Sequence, residues 1–415
     1  MSTGSTRAAI IGGGIAGPVT ALALHRIGVQ PTVYEAYEHG AEQAGAFLMA
    51  APNGLAALQL LGAHTSVLAA GFPTPRFAVS TGKGRVLGET VSTTTVPGRP
   101  EPVTIRRSDL YRAITAEVRR AGIPIEYGKR LAGVDESDDG LRTRFTDGSS
   151  VTAELLVGAD GLRSRTRTLV DPAAPAPRYL GLVGCGGYAR TALLDSSPGV
   201  FHFVFGKRAF FGYTVPRPGE VWWFANLPRR PEPTRPELDE LRGETLRQVL
   251  IEAFAEDRVP AAAVIRETEH LIDALPMHDL APLPTWHRGR MVLTGDAAHI
   301  TSPSSGQGAS LAIEDAVVLA QCLRDLPDQQ QAFQRYQELR RPRVKKIFDA
   351  AVRTNSTKAA GPVARRLRAA IMRVVFALAD PGKAQAEVHD FTIDWDQPVR
   401  PAAQVPAGVT AQRRG

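Results

Sequence analysis

The sequence predicts an α/β fold, in which a parallel sheet flanked by helices is joined to an antiparallel β-sheet and to C-terminal helices. Three observations support this prediction: a strand, glycine turn, helix and strand within residues 1–35, alternating aromatic residues within 178–227, and helical patterns from 308 to 380. Parallel strands buried on both faces read as continuous apolar runs, whereas antiparallel strands alternate. The chain has 415 residues, and we expect about two or three domains, because one core rarely grows so large.

The N-terminal unit begins almost at the first residue. The apolar run 8–11 predicts a buried strand, 15–27 predicts a helix that ends at Gly28, and 32–34 predicts a second strand that ends at Glu35. Between the first strand and the helix lies a G-x-G-x-x-G motif, Gly12-Gly13-Gly14-Ile15-Ala16-Gly17. This order of elements, with an acid at the end of the second strand, predicts a dinucleotide site.

Each part of this motif suits a pyrophosphate for its own reason. The first glycine permits a tight turn, the second lets backbone approach the pyrophosphate, and the third lets helix and strand pack closely. The start of the helix presents free N–H groups and a positive dipole end to the phosphates. A carboxylate at Glu35 can bind ribose hydroxyls. The predicted cofactor-binding residues here are Gly12, Gly14, Ile15, Ala16, Gly17 and Glu35.

Further elements follow along the chain. Apolar periodicity and turn residues predict helices over 52–61, 108–120, 240–255 and 308–326, and strands over 123–127, 141–145, 151–157 and 291–294. Ser108 is a candidate N-cap, and Asp147-Gly148 predicts a hairpin. The stretch 228–236 is interpreted as a loop, and the residues after Asp396 as a disordered tail.

Aromatic residues alternate with other residues within 178–227, which predicts an antiparallel sheet. Small-molecule cavities are lined mostly by apolar and aromatic side chains, so we expect 201–213 and 222–226 to form a cavity wall. For any single ring, a place in the sheet core is the alternative. The candidate substrate contacts are Arg190, His202, Phe203, Phe211, Tyr213, Phe224 and Asn226.

Two more motifs lie later in the chain. Residues 158–167 read G-A-D-G-L-R-S-R-T-R and follow a predicted strand directly. Residues 295–315 begin with G-D-A-A-H and continue with Pro303, Gly306-Gln307-Gly308 and Glu314-Asp315. Each segment alone is compatible with an ordinary turn.

The three motifs in this order resemble those of the class A flavoprotein monooxygenases, the para-hydroxybenzoate hydroxylase-like family. Residues 158–167 match its G-A-D-G-x-x-S-x-x-R motif, and 295–315 match its G-D-A-A-H-x-x-x-P-x-x-G-Q-G-x-x-x-x-x-E-D motif. Arg107-Ser108-Asp109-Leu110 is similar to its R-x-D-L segment. The resemblance implies a Rossmann-like FAD-binding domain with an antiparallel β-sheet substrate domain and C-terminal helices.

The resemblance also implies roles for individual residues. Glu35 would bind the adenosine ribose, Arg107 the flavin side of FAD, and Asp296 the ribityl chain. Asp160 and Arg167 would serve both FAD and the nicotinamide cofactor. The helix start at 306–308 would stabilise negative charge on reduced flavin through its N–H groups. The cofactor-binding residues of the third motif, besides Asp296, are Gly295, Pro303, Gly306, Gln307 and Gly308.

Two residues depart from the family pattern. Glu42 stands where the family often has a basic residue, and Phe47 stands in place of a glycine. The first departure bears on one FAD contact, and the second on the packing or mobility of the flavin ring.

These motifs predict a discontinuous domain organisation. An FAD-binding domain comprises residues 1–72, 103–175 and 288–345, and a substrate domain comprises 73–102 and 176–287. A C-terminal helical segment, 346–398, and a flexible tail, 399–415, complete the chain.

The implied reaction consumes NAD(P)H and O₂. Hydride passes to FAD, O₂ adds to the reduced flavin, and the C4a-hydroperoxide hydroxylates or epoxidises a small, largely apolar aromatic or olefinic substrate. No catalytic side chain is identified, because the chemistry is centred on the flavin. The alternatives are a flavin-dependent halogenase or reductase of the same fold, and a non-catalytic FAD-binding protein. The halogenase motif W-x-W-x-I-P is not satisfied by W-W-F-A-N-L at 222–227.

Composition limits the function classes further. The formal charge is +7, but the basic residues form no dense block, so no nucleic-acid partner is expected. Cys185 and Cys322 are the two cysteines, and no spacing typical of metal ligands occurs. Neither a signal peptide nor a membrane span is predicted, and the basic segment 365–378 is interpreted as a helix that covers the flavin domain. We expect a cytoplasmic monomer or homodimer without stable membrane insertion.

Overall fold

The computed structural model describes residues 6–40, 46–92, 94–138, 140–194, 197–358 and 381–401. The strands are β1 (Arg7–Ile11), β2 (Gln30–Tyr34), β3 (Phe47–Ala50), β4 (Phe72–Pro73), β5 (Arg76–Thr81), β6 (Val86–Val91), β7 (Val103–Arg106), β8 (Ile125–Glu126), β9 (Leu131–Ser137), β10 (Gly140–Phe145), β11 (Ser150–Ala153), β12 (Leu155–Gly158), β13 (Arg178–Arg190), β14 (Val200–Phe205), β15 (Phe210–Arg217), β16 (Glu220–Pro228), β17 (Thr268–Asp279), β18 (His287–Arg288) and β19 (Met291–Leu293). The helices are α1 (Ala16–Arg26), α2 (Pro52–Leu60), α3 (His64–Ala70), α4 (Arg107–Arg120), α5 (Arg165–Val170), α6 (Arg235–Glu240), α7 (Gly243–Phe254), α8 (Ala261–Arg266), α9 (Gly308–Asp325), α10 (Gln329–Lys358) and α11 (Pro381–His389). The 3₁₀ turns Gly295–Ala297 and Pro303–Ser305 lie between β19 and α9.

A largely parallel sheet has the strand order β18-β19-β12-β1-β2-β8. β1 pairs in parallel with β2 and β12, and β12 pairs in parallel with β19. Their apolar residues are almost fully buried, because α1 packs on β1 and β2, and α5 packs on β19. The predicted strands at 8–11, 32–34 and 291–294 and the helix between the first two are confirmed.

The second large sheet has the order β17-β13-β16-β15-β14-β5-β6, and its strands pair antiparallel except β14 with β5. The predicted antiparallel sheet is confirmed. One face packs against α7 and α8 in a separate buried cluster that includes Phe211, Trp223 and Phe254. The sequence does not predict the edge strand β17. Pro276 and several charged residues interrupt the alternation of apolar and polar residues in this strand, and its pairing with β13 contains register shifts.

Two local predictions are wrong. The segment 151–157 is not one strand but two, β11 and β12, which belong to different sheets. Glu154 lies between them, and its carboxylate accepts a hydrogen bond from the N–H of Arg7 at 2.8 Å. Ser108 is not an N-cap, because α4 already begins at Arg107 and Ser108 lies in its first turn.

The C-terminal part contains two helices, α10 and α11, but the described residues 390–401 contain none, so the predicted helical segment 346–398 is wrong over its last residues. α10 and α11 agree with the predicted helical segment, whereas the predicted helix at 365–378 and the tail beyond 401 lie outside the described residues. None of the described helices combines the length and the apolar character that a membrane crossing requires.

Candidate active site

The glycine turn after β1 is shaped by close backbone contacts. Gly12 has a φ of +110°, and a Cβ there would lie 2.4 Å from the carbonyl oxygen of Ala159. A Cβ on Gly17 would lie 1.9 Å from the carbonyl oxygen of Gly12, so α1 can start against the turn only without a side chain there. Gly14 differs, because a Cβ on this residue would have no protein atom within 4 Å. The turn is therefore closed toward the protein and open at Gly14.

The N-terminus of α1 has no capping side chain. Its N-cap residue, Ile15, makes no side-chain hydrogen bond to the helix, and the first turn, from Ala16, contains no acidic residue. The free N–H groups and the positive end of the helix dipole are therefore available to a phosphate.

Glu35 follows β2 directly and is nearly buried. One carboxylate oxygen accepts a hydrogen bond from the N–H of Gly13 at 2.6 Å, and the other accepts one from the N–H of Tyr37 at 2.9 Å. Glu35 thus holds the glycine turn against the end of β2. A carboxylate has about four acceptor positions, so it can also accept ribose hydroxyls.

Asp160 uses its carboxylate within its own loop. It accepts hydrogen bonds from the hydroxyl of Ser164 at 2.5 Å and from the N–H and hydroxyl of Thr166 at 2.9 and 3.0 Å. Ser164 in turn caps α5 by accepting the N–H of Arg167 at 2.9 Å. These bonds fix the shape of the second motif, and the cofactor contact of Asp160 stays a prediction.

Arg167 joins the second motif to the third. Its guanidinium donates hydrogen bonds at 2.8–3.2 Å to the carbonyl oxygens of Gly161, Leu162, Asp296 and Ala297. Burial lowers the pKa of Arg167, although the charges of Asp160 and Asp296 oppose this shift. Because these donors point into protein backbone, Arg167 positions the turn that carries Asp296.

Asp296 extends from the 3₁₀ turn after β19. Its side chain reaches solvent, but protein surrounds it on most sides, and this desolvation raises the pKa of the carboxyl against the charges of His299 and Arg107. Among the described residues, none donates a hydrogen bond to this carboxylate. An acceptor that the protein leaves unpaired in a cleft is available to the hydroxyls of a ligand.

The segment 295–299 rests on the buried carboxylate of Asp315 in α9. Asp315 accepts hydrogen bonds from the N–H of Gly295 at 3.1 Å and from Nε of Arg340 at 2.7 Å, and it lies 2.8 Å from Nε2 of His299. Burial alone would raise the pKa of Asp315, but His299 and Arg340 lower it to about 2. An ionised Asp315 therefore fixes both ends of this segment.

Glu314 connects the same network to two more helices. Its oxygens accept hydrogen bonds from Arg343 of α10 at 2.7 Å, and one of them also accepts from Asn53 of α2 at 2.6 Å. Arg340 lies 2.7 Å from this carboxylate. Arg340 and Arg343 were not predicted from the sequence. The signal was present, because an acidic pair within an apolar helix needs buried cations.

The loop before α9 combines a left-handed glycine with an open helix start. Gly306 has a φ of +62° and ends the 3₁₀ turn Pro303–Ser305. Gln307, the N-cap of α9, makes no capping bond, and its side-chain oxygen accepts a hydrogen bond from Asn53 at 3.0 Å. The first turn, from Gly308, has no acidic residue. The positive end of α9 is therefore available to a negative charge.

Arg107 lies at the same site as Asp296. Its side chain is exposed at the start of α4, and its charge lowers the pKa of Asp296. The N–H of Arg107 donates to the carbonyl oxygen of Ala46 at 3.0 Å, and that oxygen also accepts the hydroxyl of Tyr188 at 3.0 Å. The cleft at Asp296 is thereby linked to the antiparallel sheet.

One face of this sheet carries two groups of neighbouring rings, Tyr188 with Trp222 and four phenylalanines, and we call the two groups together the aromatic face. Neighbouring ring centroids lie 5.0–6.2 Å apart, and the set comprises Tyr188, Phe201, Phe203, Phe210, Trp222 and Phe224. Phe47 and Phe72 belong to a separate three-stranded sheet, β3-β7-β4, and their ring centroids lie 5.6 and 5.2 Å from that of Trp222. Two of the predicted substrate contacts, Phe203 and Phe224, therefore lie on the face that meets the nucleotide-binding part of the fold.

Three other predicted substrate contacts, His202, Phe211 and Tyr213, lie on the opposite face of the sheet from Phe203 and Phe224, so one planar ligand cannot contact both groups, and their contact with a substrate stays a prediction. Phe211 is fully buried and contacts Phe254 of α7 at 5.5 Å. His202 stacks on Tyr213 at 4.4 Å, and burial lowers the pKa of His202 to about 4. The division into two groups follows from the pleat of the strands, because successive residues point to opposite faces.

Asn226 and Arg190 occupy different surroundings. Asn226 shares the aromatic face, but its amide is buried and donates to a methionine sulfur at 3.3 Å. Arg190 is exposed at the end of β13 and lines a cavity of about 380 Å³. Arg106 borders the same cavity, and its guanidinium lies over the rings of Tyr188 and Trp222 at 4.6 and 4.9 Å. This cavity therefore abuts the aromatic face.

The residues of the cleft fit a flavin dinucleotide. The open turn at Gly14 and the uncapped start of α1 suit a pyrophosphate. The unpaired carboxylate of Asp296 suits the hydroxyls of a polyol chain, and the start of α9 suits a ring that becomes negative on reduction. Glu42 lies outside the described residues, so its predicted effect stays a prediction.

Fold and site together define an FAD-dependent flavoenzyme. Residues 5–351 match the FAD binding domain family, and the chain belongs to this family. The resemblance to class A flavoprotein monooxygenases is confirmed, and the chain is an FAD-dependent monooxygenase.

Several relatives are similar over most of their length. Aurachin C monooxygenase/isomerase from Stigmatella aurantiaca is 33% identical over 346 residues, which cover 82% of this chain and 86% of that protein. An FAD-dependent urate hydroxylase from Klebsiella pneumoniae is 31% identical over 351 residues, covering 82% and 87%. The structure of Klebsiella pneumoniae HpxO with FAD and uric acid has a TM-score of 0.80 at 26% identity, covering 92% of this chain and 96% of that one.

Proposed function

We propose that this chain uses NAD(P)H and O₂ to oxygenate a small, largely apolar aromatic or olefinic compound. One atom of O₂ enters the substrate, either at an aromatic C–H bond or across a C=C bond. The other atom leaves as water, with the hydride of NAD(P)H and one proton supplying its two hydrogens. Bound FAD supplies hydride acceptance and O₂ activation, whereas the chain supplies position, charge and a dry cavity.

The unpaired carboxylate of Asp296 beside the aromatic face carries this proposal. The two features adjoin through the carbonyl oxygen of Ala46, which accepts both Arg107 N–H and Tyr188 hydroxyl. A ligand whose hydroxyl chain is bound by Asp296 would extend its ring system toward the aromatic face. A flat substrate would then lie between that ring system and the aromatic side chains.

Each part of the cleft has its own task in this proposal. Gly14 and the start of α1 bind the pyrophosphate, Glu35 binds the ribose, and Asp296 accepts the ribityl hydroxyls. The start of α9 stabilises negative charge on the reduced ring. We assign these tasks to a nucleotide-binding domain formed by residues 1–72, 103–175 and 288–345, and substrate binding to 73–102 and 176–287.

The aromatic face defines the substrate class. Its rings offer stacking and apolar contacts but few polar partners, so a planar, weakly polar molecule suits it best. One relative is a urate hydroxylase, and urate is a planar ring compound. We infer an electron-rich ring or olefin as the substrate, because the oxygen atom is delivered to an electron-rich carbon.

The experiment uses purified protein incubated with FAD. Oxidation of NADH and of NADPH is followed with a panel of phenols, aminobenzoates, hydroxypyridines, purines and olefins. We expect one nicotinamide cofactor to be consumed faster with an accepted compound, and a product that is heavier by one oxygen atom. Isotope-labelled O₂ should place one labelled atom in that product.

The Asp296→Asn variant tests the role of this carboxylate, and we expect it to retain little FAD and little activity. A protein that binds FAD but consumes neither cofactor with any compound would contradict the proposal and favour a non-catalytic FAD-binding protein.

A further inference from the structure

Phe47 begins β3 and packs on the aromatic face across three strands. Its ring centroid lies 5.6–6.3 Å from those of Tyr188 in β13, Phe201 in β14, and Trp222 and Phe224 in β16. Phe201 and Trp222 are each only 6% exposed, whereas Phe47 is half-buried. One side of the Phe47 ring therefore covers the aromatic face, and part of the residue remains accessible.

The backbone beside Phe47 is fixed on both sides. The carbonyl oxygen of Ala46 accepts hydrogen bonds from Arg107 N–H and from the hydroxyl of Tyr188, each at 3.0 Å. Phe47 itself is paired with Arg106 in the ladder between β3 and β7. The ring is therefore held as a fixed wall.

We propose that Phe47 sets the upper size limit for substrates of this enzyme. This inference rests on the proposed function, in which a planar substrate lies against the aromatic face. Phe47 occupies part of that face, so the substrate has only the remaining part. Removal of the ring uncovers an apolar recess bounded by Tyr188, Phe201 and Phe224, and an additional fused ring of the substrate can fill it.

A purely structural role of Phe47 predicts a different result. A core ring contributes to stability, and its truncation lowers the free energy of unfolding without changing which substrate is preferred. A size-limiting ring changes the ratio of kcat/KM between large and small substrates, because pocket and substrate must match in volume. The dependence of kcat/KM on substrate size therefore distinguishes a size-limiting role of Phe47 from a structural one, even if truncation of the ring also lowers stability.

The experiment compares wild type, Phe47→Leu and Phe47→Ala, each loaded with FAD, on one-ring, two-ring and three-ring hydroxylated arenes, with phenol and 1-naphthol as the first two probes. Substrate-stimulated NAD(P)H consumption gives kcat/KM, and the perturbation of flavin absorbance gives the Kd of each probe. Phe254→Leu is the matched control, because it shortens a ring in α7 behind the opposite face.

We expect Phe47→Ala to raise the kcat/KM ratio of two-ring to one-ring probes by about tenfold, with a smaller shift for Phe47→Leu. Phe254→Leu should leave the ratio unchanged. If wild type responds to the probes but the Phe47 variants keep its size profile in both kcat/KM and Kd, the size limit is not set by Phe47. If wild type consumes no NAD(P)H with any probe and none perturbs its flavin, the proposed substrate class fails instead, and this inference fails with it.

Discussion

The guanidinium of Arg340 donates to the carboxylate of Asp315 at 2.7 Å, and both side chains are fully buried. Asp315 also accepts the N–H of Gly295, which begins the turn that carries Asp296. A salt bridge between α9 and α10 therefore determines where the unpaired acceptor of the cleft lies. Since neither Arg340 nor Asp315 reaches the cleft, the pair acts on the site through the backbone.

Replacement of Arg340 by methionine should destabilise the protein strongly. It removes a buried cation that contacts both Glu314 and Asp315, and it leaves only Arg343 and His299 beside these two buried carboxylates. We expect the free energy of unfolding to fall by about 3–5 kcal/mol. Urea unfolding, compared with Arg341→Met on the exposed side of α10, measures the difference; equal midpoints for the two variants would contradict this account.

Two glycines of one motif should respond differently to alanine. In Gly17→Ala the new Cβ meets the carbonyl oxygen of Gly12 at 1.9 Å, so we expect a loss of stability of about 1–3 kcal/mol or more. In Gly14→Ala the Cβ meets no protein atom within 4 Å, so the free energy of unfolding should change by less than about 0.5 kcal/mol.

The same pair tests where the ligand lies. The Cβ of Gly14→Ala would occupy space that we assign to the pyrophosphate, so FAD affinity should fall by about tenfold or more although stability is kept. Flavin fluorescence titration of the apoprotein gives the Kd. Unchanged FAD binding by Gly14→Ala would move the pyrophosphate away from this turn.

Asp296→Asn should stabilise the apoprotein while weakening FAD binding. Desolvation raises the pKa of Asp296 above its ordinary value of 3.8, so the folded state holds this proton more tightly than the unfolded chain. Ionisation therefore opposes folding: the penalty is fully present above the folded pKa and disappears as pH falls below 3.8. The amide removes this penalty at neutral pH.

Asp296→Asn should raise the Kd for FAD. A charged acceptor contributes about 1.5–3 kcal/mol to a hydrogen bond, so affinity should fall by about 10- to 100-fold. FAD binding by wild type should weaken as pH falls through the raised pKa of Asp296, and this dependence should vanish in the variant. Asp135→Asn, on the exposed strand β9, should change neither quantity.

Sequence patterns predicted the elements better than their mutual orientation. The run at 8–11 was predicted as a buried parallel strand, because apolar residues on both faces leave few alternatives. The aromatic strands were predicted as strands, but Phe203 and Phe211 were assigned to one face. Phe205 is paired with Phe210, so Phe211 lies opposite Val204 and shares its face. The face on which Phe211 lies depends on the length of the connection 206–209, and residue alternation within each strand does not reveal it.

The site was predicted by residue but not always by contact. Asp160 and Arg167 belong to the motif, yet their side chains bind their own loop and neighbouring carbonyls. A motif shows which residues the site requires, but it does not distinguish a residue that positions the loop from one that contacts the ligand. The cations Arg340 and Arg343 lie in a separate helix, and only the fold brings them to the acidic pair of α9.

The division of the sheet into two faces gives a last prediction. His202→Phe keeps the stack on Tyr213, whose ring centroid lies 4.4 Å away. It replaces a side chain that is neutral between pH 5 and 8, since burial lowers the pKa of His202 to about 4. We expect kcat/KM to change by less than about twofold and its pH profile to be unaltered.

Phe224→Ala removes a ring from the aromatic face, so KM should rise by about tenfold and more of the NAD(P)H consumed should yield hydrogen peroxide, because water enters the cavity. Parallel measurements of NAD(P)H consumption, product and peroxide distinguish the two variants. A large loss of kcat/KM in His202→Phe, with Phe224→Ala unaffected, would mean that the substrate lies on the other side of the sheet.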